Sequence, residues 1–280
     1  MSEYKPVHIL FICFILLLSN RIGFTQTVKT LPVKGLNGPN GFALDSGGKL
    51  YIANEPGKQV IRIINDSITE NVISSDSPNG LDFDDKGNLY IINFFPGIVL
   101  KKREHSIDTF AKGLDKPADI KWDGKGNLYV SEYEKGSIKK IDLQGQITEF
   151  VNGFNHPFGL AFDNDSNLYV ANNTTGIINK VTPSKAVIFF AQIPGAVAYI
   201  TFSKKTGKLY VPCFTCHNIY TVSKQGKVEL LSGRGTAGYK NGTLSEAQFE
   251  GPNSIVISTD GDLYISEFSV NRIRKIIKVE

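Results

Sequence analysis

The sequence is poor in sulfur and has no strong excess of one charge. Three cysteines, one methionine and one tryptophan occur in 280 residues. Three cysteines are too few for a disulfide scaffold, and a chain of this length can bury a full core without one. Lys and Arg together number 31 against 27 Asp and Glu, with no long run of either sign. Because this pattern gives no basic stripe, no nucleic-acid partner is predicted.

A long membrane-spanning run is also missing. The apolar run at residues 9–18 is about ten residues long, whereas a helix needs about 20 residues to cross a bilayer. It follows Lys5 and precedes small and polar residues, which is the layout of a secretory signal. We therefore expect residues 1–26 to be a signal peptide and the mature chain to be secreted or periplasmic, with no stable membrane span. An uncleaved N-terminal anchor is the alternative.

The rest of the chain is a repeat. The pair Leu-Tyr recurs six times, and successive tyrosines lie 39, 39, 40, 41 and 54 residues apart. The phrase "GPNGFALDSGGKLYIAN" at the first copy returns as "SPNGLDFDDKGNLYIIN" at the second and as "HPFGLAFDNDSNLYVAN" at the fourth. A period near 40 residues with several short strands per unit is typical of a propeller blade.

Each copy predicts four antiparallel strands. A short apolar run is followed by a polar Gly turn and the Leu-Tyr strand, which suits a tight hairpin. The sixth copy stops after its third strand, and the start of the mature chain aligns with a fourth strand. We therefore predict an all-β, six-bladed β-propeller over residues 27–280, closed by the N-terminal strand completing the last blade. A monomer is expected.

The repeat phrase resembles NHL repeats. The last copy, "FEGPNSIVISTDGDLYISEFSVNRIRKI", carries that family's pattern almost entire. The insertion before it, "GRGTAGYKNGTLSEAQF", is similar to the Gly-rich linker with a short helix that precedes many NHL blades. The resemblance extends to gluconolactonase-like six-bladed propellers, which include lactonases, lyases and binding modules. It implies a fold but does not select among these functions.

In such a propeller, one face around the central channel is the usual ligand site. The repeat places one residue of each blade there after the Pro position: Asn40, Asn79, Ala118, Phe158, Ala198 and Asn253. A second residue ends each second strand: Asn54, Asn93, Glu132, Asn172, Cys213 and Glu267. A mouth with polar and apolar halves suits a small-molecule pocket. We expect ligand-binding side chains among these positions and name Asn54, Asn93, Glu132, Asn172 and Asp119.

The gluconolactonase-like resemblance also implies a divalent, calcium-like metal at this face. Amide and carboxylate oxygens are the ligands that such ions prefer. The candidates are Asn40, Asn79, Asn253 and Glu267. The family's P-D-G motif is missing, and Asp119 stands at the Gly position of its repeat, so a complete lactonase site does not carry over. Alternatively, these side chains satisfy backbone groups of turns.

Two histidines fall on loops of the same face, in adjacent blades. His156 lies in "NHPFG" and His217 in "CFTCH". Imidazole has a pKa suited to proton transfer, so both are candidate catalytic residues. The alternative is a surface imidazole packed on a turn.

Residues 213–217, "CFTCH", match the C-x-x-C-H spacing of c-type haem attachment. The motif occupies an ordinary loop between second and third strands, with no spare residues to build a haem slot, so haem is disfavoured. A local disulfide between Cys213 and Cys216 is favoured by an oxidising compartment. A thiol pair or a soft-metal site facing the channel is the remaining alternative.

Three functional classes remain open from the sequence. The first is an exported propeller that binds a small molecule, a glycan or a protein on its channel face. The second is a divalent-metal-dependent lactonase or related hydrolase, in which the ion would polarise an ester carbonyl. The third is a purely structural or protein-interaction propeller.

Overall fold

The structure, a computed structural model, describes residues 26–278. Short antiparallel strands fill this range, and the only helical element in it is a 3-10 turn at Phe268–Val270. Among these described residues, no helix has the length and apolar composition needed to cross a bilayer. The predicted signal peptide, residues 1–26, lies outside the described residues except for Gln26.

The strands form six sheets in chain order. The chain begins with β1 (Thr27–Thr30). Blade one contains β2 (Pro39–Leu44), β3 (Leu50–Asn54), β4 (Gln59–Ile64) and β5 (Ile68–Ser74). Blade two contains β6 (Pro78–Phe83), β7 (Leu89–Asn93), β8 (Ile98–Lys102) and β9 (Ile107–Lys112). Blade three contains β10 (Pro117–Trp122), β11 (Leu128–Glu132), β12 (Ser137–Ile141) and β13 (Ile147–Asn152).

The second half of the chain repeats this order. Blade four contains β14 (Pro157–Phe162), β15 (Leu168–Asn172), β16 (Ile177–Val181) and β17 (Val187–Gln192). Blade five contains β18 (Thr201–Phe202), β19 (Leu209–Cys213), β20 (Asn218–Val222) and β21 (Val228–Ser232). Blade six contains β22 (Gly242–Thr243), β23 (Pro252–Ile257), β24 (Leu263–Glu267) and β25 (Arg272–Ile276), together with β1.

The first strands of successive blades contact one another around a closed ring. The contacts run from β2 through β6, β10, β14, β18 and β23 and back to β2. The prediction of an all-β, six-bladed propeller is confirmed. These six strands surround the central channel, so the loops that lead into them form one rim of it.

The N-terminal strand closes the ring as predicted. Strand β1 pairs antiparallel with β25, with Val28 opposite Ile276 and Thr30 opposite Arg274. It therefore supplies the fourth strand of blade six. The strand it pairs with lies at the other end of the described chain, so the pairing covers an edge that would otherwise be open. The short strand β22 then pairs with the other edge of β1, so this blade has five strands.

The hydrophobic core is divided among the interfaces between blades. Six buried clusters are present among the described residues, and each joins side chains of two neighbouring blades. The second strand of a blade lies between two strands and is covered by blades on both sides. Strands such as β3, β7 and β11 are accordingly buried along their whole length.

The insertion before blade six differs from the expected linker with a short helix. Its polar stretch after β22 forms a single turn, in which Ala247 N donates to Thr243 O at 3.0 Å. The turn is not continued, because Gln248 N, the next donor, bonds to Lys240 O at 3.1 Å instead of to a carbonyl of the same turn. The fully buried Arg274 holds the insertion by donating to Gln248 O at 2.7 Å and to Lys240 O at 2.9 Å.

Candidate functional site

A cavity of about 260 Å³ opens at the channel mouth, on the face that the repeat predicted. Four of its lining residues follow the Pro position of their repeats: Asn40, Phe158, Ala198 and Asn253. Three more directly follow the ends of second strands: Asn173, Phe214 and Phe268. Ala196 completes the lining. The cavity therefore combines the amides of Asn40, Asn173 and Asn253 with three phenylalanine rings and two alanines, and blades one, four, five and six contribute to it.

The asparagine side chains of this cavity are partly paired with each other. Asn253 Nδ2 donates to Asn40 Oδ1 at 2.9 Å, and Asn173 Nδ2 donates to Val197 O at 2.9 Å. Within the described chain, Asn40 Nδ2, Asn253 Oδ1 and Asn173 Oδ1 have no hydrogen-bond partner. One amide nitrogen and two amide oxygens without any partner thus remain for a bound molecule.

Tyr199 closes the channel below this cavity. Its side chain is buried, its hydroxyl donates to Asn79 Oδ1, and its ring meets the Phe158 ring edge-on at 5.1 Å. Asn79 belongs to blade two and Tyr199 to blade five, which are opposite in a ring of six, so the side chain crosses the channel. Burial raises the pKa of the Tyr199 phenol well above its usual range.

The sequence reasoning missed Tyr199, although the repeat contains a signal for it. Tyr199 stands at the position occupied by Gly41, Gly80 and Gly159 in other blades. A Cβ at Gly80 would lie 2.7 Å from Asp119 Cα, so neighbouring first strands approach too closely there for a side chain. A tyrosine at this position indicates that blade five is built differently, and its first strand β18 has only two residues.

The residues that end the second strands do not line the cavity. In four blades this side chain accepts a hydrogen bond from a backbone N–H 17 residues earlier, an arrangement that we call the loop tie. The donor and acceptor residues are Asn37 and Asn54, Asp115 and Glu132, Asn155 and Asn172, and Glu250 and Glu267. Asn93 instead accepts from the Ser75 hydroxyl. All these acceptors are buried, and in blades four, five and six it is the next residue, just beyond the strand, that lines the cavity.

Asp119, also named as a ligand-binding residue, points into the interface with blade four. Its Oδ2 accepts from Leu160 N at 2.9 Å and its Oδ1 from Lys121 Nζ at 2.9 Å. Burial raises the pKa of this carboxyl, and the Lys121 ammonium opposes that effect. Asp119 therefore links two blades rather than facing the mouth.

The four candidate metal ligands do not offer a set of free oxygens. Glu267 is fully buried, and its carboxylate accepts from Glu250 N at 2.7 Å, Arg272 Nε at 2.9 Å and Arg274 Nη1 at 3.3 Å. The side-chain oxygens of Asn40 and Asn79 accept from Asn253 and Tyr199. In the described part of the chain, no three His, Cys, Asp or Glu side chains cluster in a way that suits a metal ion. These residues do not fit a calcium-like ion.

The two candidate catalytic histidines lie on different loops, and neither lines the cavity. His156 has a left-handed backbone with φ of 48°, its Nδ1 lies 3.0 Å from Asn155 Oδ1, and its ring packs on Tyr133 at 4.7 Å. His217 Nδ1 accepts from Gly251 N at 3.1 Å. Each imidazole thus has a local contact that stabilises a loop, and the structure does not bring the two rings together.

Cys213 and Cys216 are joined in a disulfide. Both sulfurs of the C-x-x-C-H motif are therefore engaged with each other and are not free to form thioethers with a haem or to hold a soft metal. The disulfide encloses Phe214, whose ring forms part of the cavity wall.

Comparisons with solved structures find the same architecture. A gluconolactonase from Xanthomonas campestris gives a TM-score of 0.71 at 14% identity, covering 89% of this chain and 89% of that chain. The chain has the fold of a gluconolactonase-like propeller. Virginiamycin B lyase from Staphylococcus aureus gives 0.67 at 15% identity over 90% and 99% of the two chains. An auxiliary nutrient binding protein from Bacteroides ovatus gives 0.76 at 14% over 91% and 77%.

At these identities the likeness establishes the fold and not the function. The expected similarity to gluconolactonase-like propellers is thus confirmed for the fold. No protein-family model and no curated protein matches the chain.

Proposed function

We propose that this chain is an exported binding propeller that takes a small uncharged molecule at its channel mouth. The observation that carries the proposal is the composition of the cavity. The amide groups of Asn40, Asn253 and Asn173 offer one unpaired nitrogen and two unpaired oxygens beside the rings of Phe158, Phe214 and Phe268. Few, well-placed polar groups in an otherwise apolar cavity are typical of small-molecule sites.

The absence of charge in the lining selects the ligand class. None of the described residues that line the cavity is ionisable. A charged ligand would lose hydration on entering and gain no ion pair there, whereas hydroxyl or amide groups would be satisfied by the asparagines. The auxiliary nutrient binding protein and the gluconolactonase that share this fold support a neutral ligand of sugar size.

Saturation-transfer NMR with matched neutral and charged probes tests this proposal. We expect glucose or glucono-1,5-lactone to bind, and gluconate and glucosamine to bind at least about tenfold more weakly. Asn253→Ala should abolish binding, whereas Asn152→Ala on an exposed outer strand serves as the matched control. Equal binding of charged and neutral probes, or binding that survives Asn253→Ala, would contradict the proposal.

A lactonase or related hydrolase is the second candidate, because the fold is shared with a gluconolactonase and with virginiamycin B lyase. The residues predicted as metal ligands do not fit a calcium-like ion, so we derive no step through a metal. His156 and His217 are the imidazoles on this face. Lactone hydrolysis that is unaffected by His156→Ala and by His217→Ala would exclude them as proton-transfer groups.

A protein-interaction role is the third candidate, and one surface favours it. The outer strand of blade four exposes Val187, Ile188 and Phe189 side by side. Exposed apolar patches of this kind mark contact sites in many proteins. Sedimentation velocity of the purified chain at rising concentration distinguishes self-association from a monomer.

A further inference from the structure

The blade-five wall of the mouth cavity is formed by two loops that hydrogen-bond to each other. Phe214 N donates to Ala196 O at 2.8 Å. In return, Ala196 N donates to Thr215 Oγ1 at 2.9 Å. Phe214 and Ala196 both line the cavity, so these two hydrogen bonds set the position of the wall.

Blade five has no loop tie. Val197 pairs with Cys213 as Pro157 pairs with Asn172 in blade four, so Gly195 stands where Asn155 donates in blade four. Cys213 offers only a sulfur, which is a weak acceptor. The two loops of blade five are joined instead through the next N–H, that of Ala196, which donates to the hydroxyl of Thr215.

In blade five the hydrogen-bond acceptor therefore lies at the tip of a hairpin, whereas in blade four it lies at the end of a strand. Asn172 is held by strand pairing, since it ends β15. Thr215 lies beyond β19 and is not part of the ladder. The Cys213–Cys216 disulfide closes the turn around Phe214 and Thr215 and so restricts the backbone conformations that these two residues can adopt.

The packing of Gly195 supports a close fit between the two loops. A Cβ at Gly195 would lie 3.0 Å from Cys213 Sγ and 3.3 Å from Cys216 Sγ, and it would collide with Thr215 Oγ1. The Gly195 backbone thus rests directly against the disulfide turn, and only glycine allows that approach. Cys213 is fully buried in the core between blades four and five.

We propose that the Cys213–Cys216 disulfide, together with Thr215, is the positioning element of the blade-five wall of the mouth cavity. It does in blade five what a buried amide or carboxylate does in four other blades. The consequence for ligand affinity rests on the proposed function, whereas the consequence for loop order does not. Because the element is a disulfide, a small dithiol should remove its constraint on the wall. Two electrons and two protons convert the S–S bond to two thiols, and the dithiol is oxidised to its cyclic disulfide.

Amide hydrogen exchange followed by NMR tests the positioning role without any ligand. In the Cys213→Ser, Cys216→Ser variant, exchange at Ala196 N–H and Phe214 N–H should accelerate about tenfold or more, the ratio that corresponds to loss of one hydrogen bond. The amide of Asn173, which occupies the place of Phe214 in blade four, and the amide of Asn155, which is held by the loop tie of that blade, are the internal controls and should not change. Unchanged exchange at Ala196 and Phe214 would overturn the proposal.

A rescue variant separates positioning from general destabilisation. Cys213→Asn with Cys216→Ser restores the amide acceptor of blade four, and we expect it to protect Gly195 N–H and to return the protection of Phe214 N–H. Failure of this rescue while blade four stays protected would overturn the proposal that the disulfide turn holds the loops in place of a loop tie. Should the double serine variant not fold, treatment of the native chain with dithiothreitol gives the same comparison, and unchanged exchange after complete reduction would again overturn the proposal.

A binding measurement then distinguishes this inference from the proposed function. If the oxidised chain binds glucono-1,5-lactone, the double serine variant should bind it at least about fivefold more weakly. If the oxidised chain binds no neutral probe, the proposed function fails, but the exchange result still decides the positioning role. Full affinity in a variant with accelerated exchange would show that the wall is dispensable for binding and would overturn its part in the site.

Discussion

At the scale of single residues, the site depends on departures from the repeat rather than on the repeat itself. Glycine stands at this position in three blades, where neighbouring first strands approach, and Asp119, Tyr199 and Ser254 replace it in blades three, five and six. Tyr199 reaches Asn79 across the channel, and Asp119 joins its blade to the next through Leu160 N. These blade-specific residues therefore make the surroundings of the channel differ from blade to blade.

The hydroxyl of Tyr199 should contribute to stability through its bond to Asn79. We expect Tyr199→Phe to lower the free energy of unfolding by about 1–2 kcal/mol, because the buried Asn79 oxygen loses its donor while the ring keeps its packing. Urea denaturation measures this difference. Tyr239→Phe removes a hydroxyl from an exposed ring and is the control; an equal loss in both variants would contradict the assignment.

Asp82 should make stability depend on pH below neutrality. This β6 carboxylate is partly buried, accepts from Trp122 N at 2.7 Å and lies near Lys121 and Asp119. Burial raises the pKa of Asp82 from 3.8 to about 6, although the Lys121 ammonium opposes the rise. Between these two values the folded state binds a proton that the unfolded state does not, so stability falls as pH rises through this window, by up to about 3 kcal/mol.

Comparison with a neutral variant isolates the contribution of Asp82 to the pH dependence of stability. Asp82→Asn keeps an acceptor for Trp122 N but removes the charge, so it should gain stability over the native chain between pH 4 and pH 6 and keep that gain at pH 7. Urea unfolding at each pH measures it, with Asp76→Asn at an exposed position as the control. A constant difference between the native chain and Asp82→Asn over this range would exclude the assigned cause.

At the scale of elements, the outer strands show how the blades avoid edge-to-edge pairing. Exposed edge strands tend to pair with other chains unless charges interrupt them. Four outer strands carry an acidic residue at an exposed central position: Glu70, Asp108, Glu149 and Glu229. In β17 of blade four, Ile188 and Phe189 occupy these positions, and Phe189 is 62% exposed.

Strand β17 should therefore be the main site of self-association. We expect Phe189→Glu, which introduces the residue that blade three has at the equivalent position, to slow aggregation on heating or concentration. The melting temperature should change by no more than about 2 °C, because the side chain is exposed. Light scattering measures the aggregation rate. Thr109→Glu in blade two, where Asp108 is already present, is the control, and an equal effect there would show that added charge alone is responsible.

At the scale of the whole molecule, stability depends on closing the ring. The core is divided among six interfaces, and each blade needs both neighbours to bury its faces. Blade six is completed by β1, which lies between β25 and β22 and joins the two ends of the chain. Loss of this strand and the residues after it would expose the edge of β25 and the core side chains that the buried Val28 and Leu31 cover.

Deletion of residues 27–35 should lower the melting temperature by about 10 °C or more, because one strand, its pairing on both edges and its apolar contacts are lost together. Scanning calorimetry measures the change against a chain that begins at Gln26. An unchanged melting temperature would contradict closure by the N-terminal strand.

The sequence by itself determined the fold, because hydrophobic alternation, hairpin turns and the period of about 40 residues are local properties that each copy repeats. It also indicated which face carries the mouth, and four of the cavity residues, including Asn40 and Asn253, stand where the repeat placed them. The ends of the chain aligned as complementary strands, so closure could be predicted as well.

Only the tertiary structure decided which way individual side chains point. Asn54, Glu132 and Asn172 have suitable chemistry for a ligand, but their partners are backbone groups 17 residues earlier, and a one-residue step along a strand exchanges a buried position for a facing one. Tyr199 meets Asn79, 120 residues away, only because blades five and two face each other across the channel. Contacts between distant blades depend on the closed ring, which no single repeat contains.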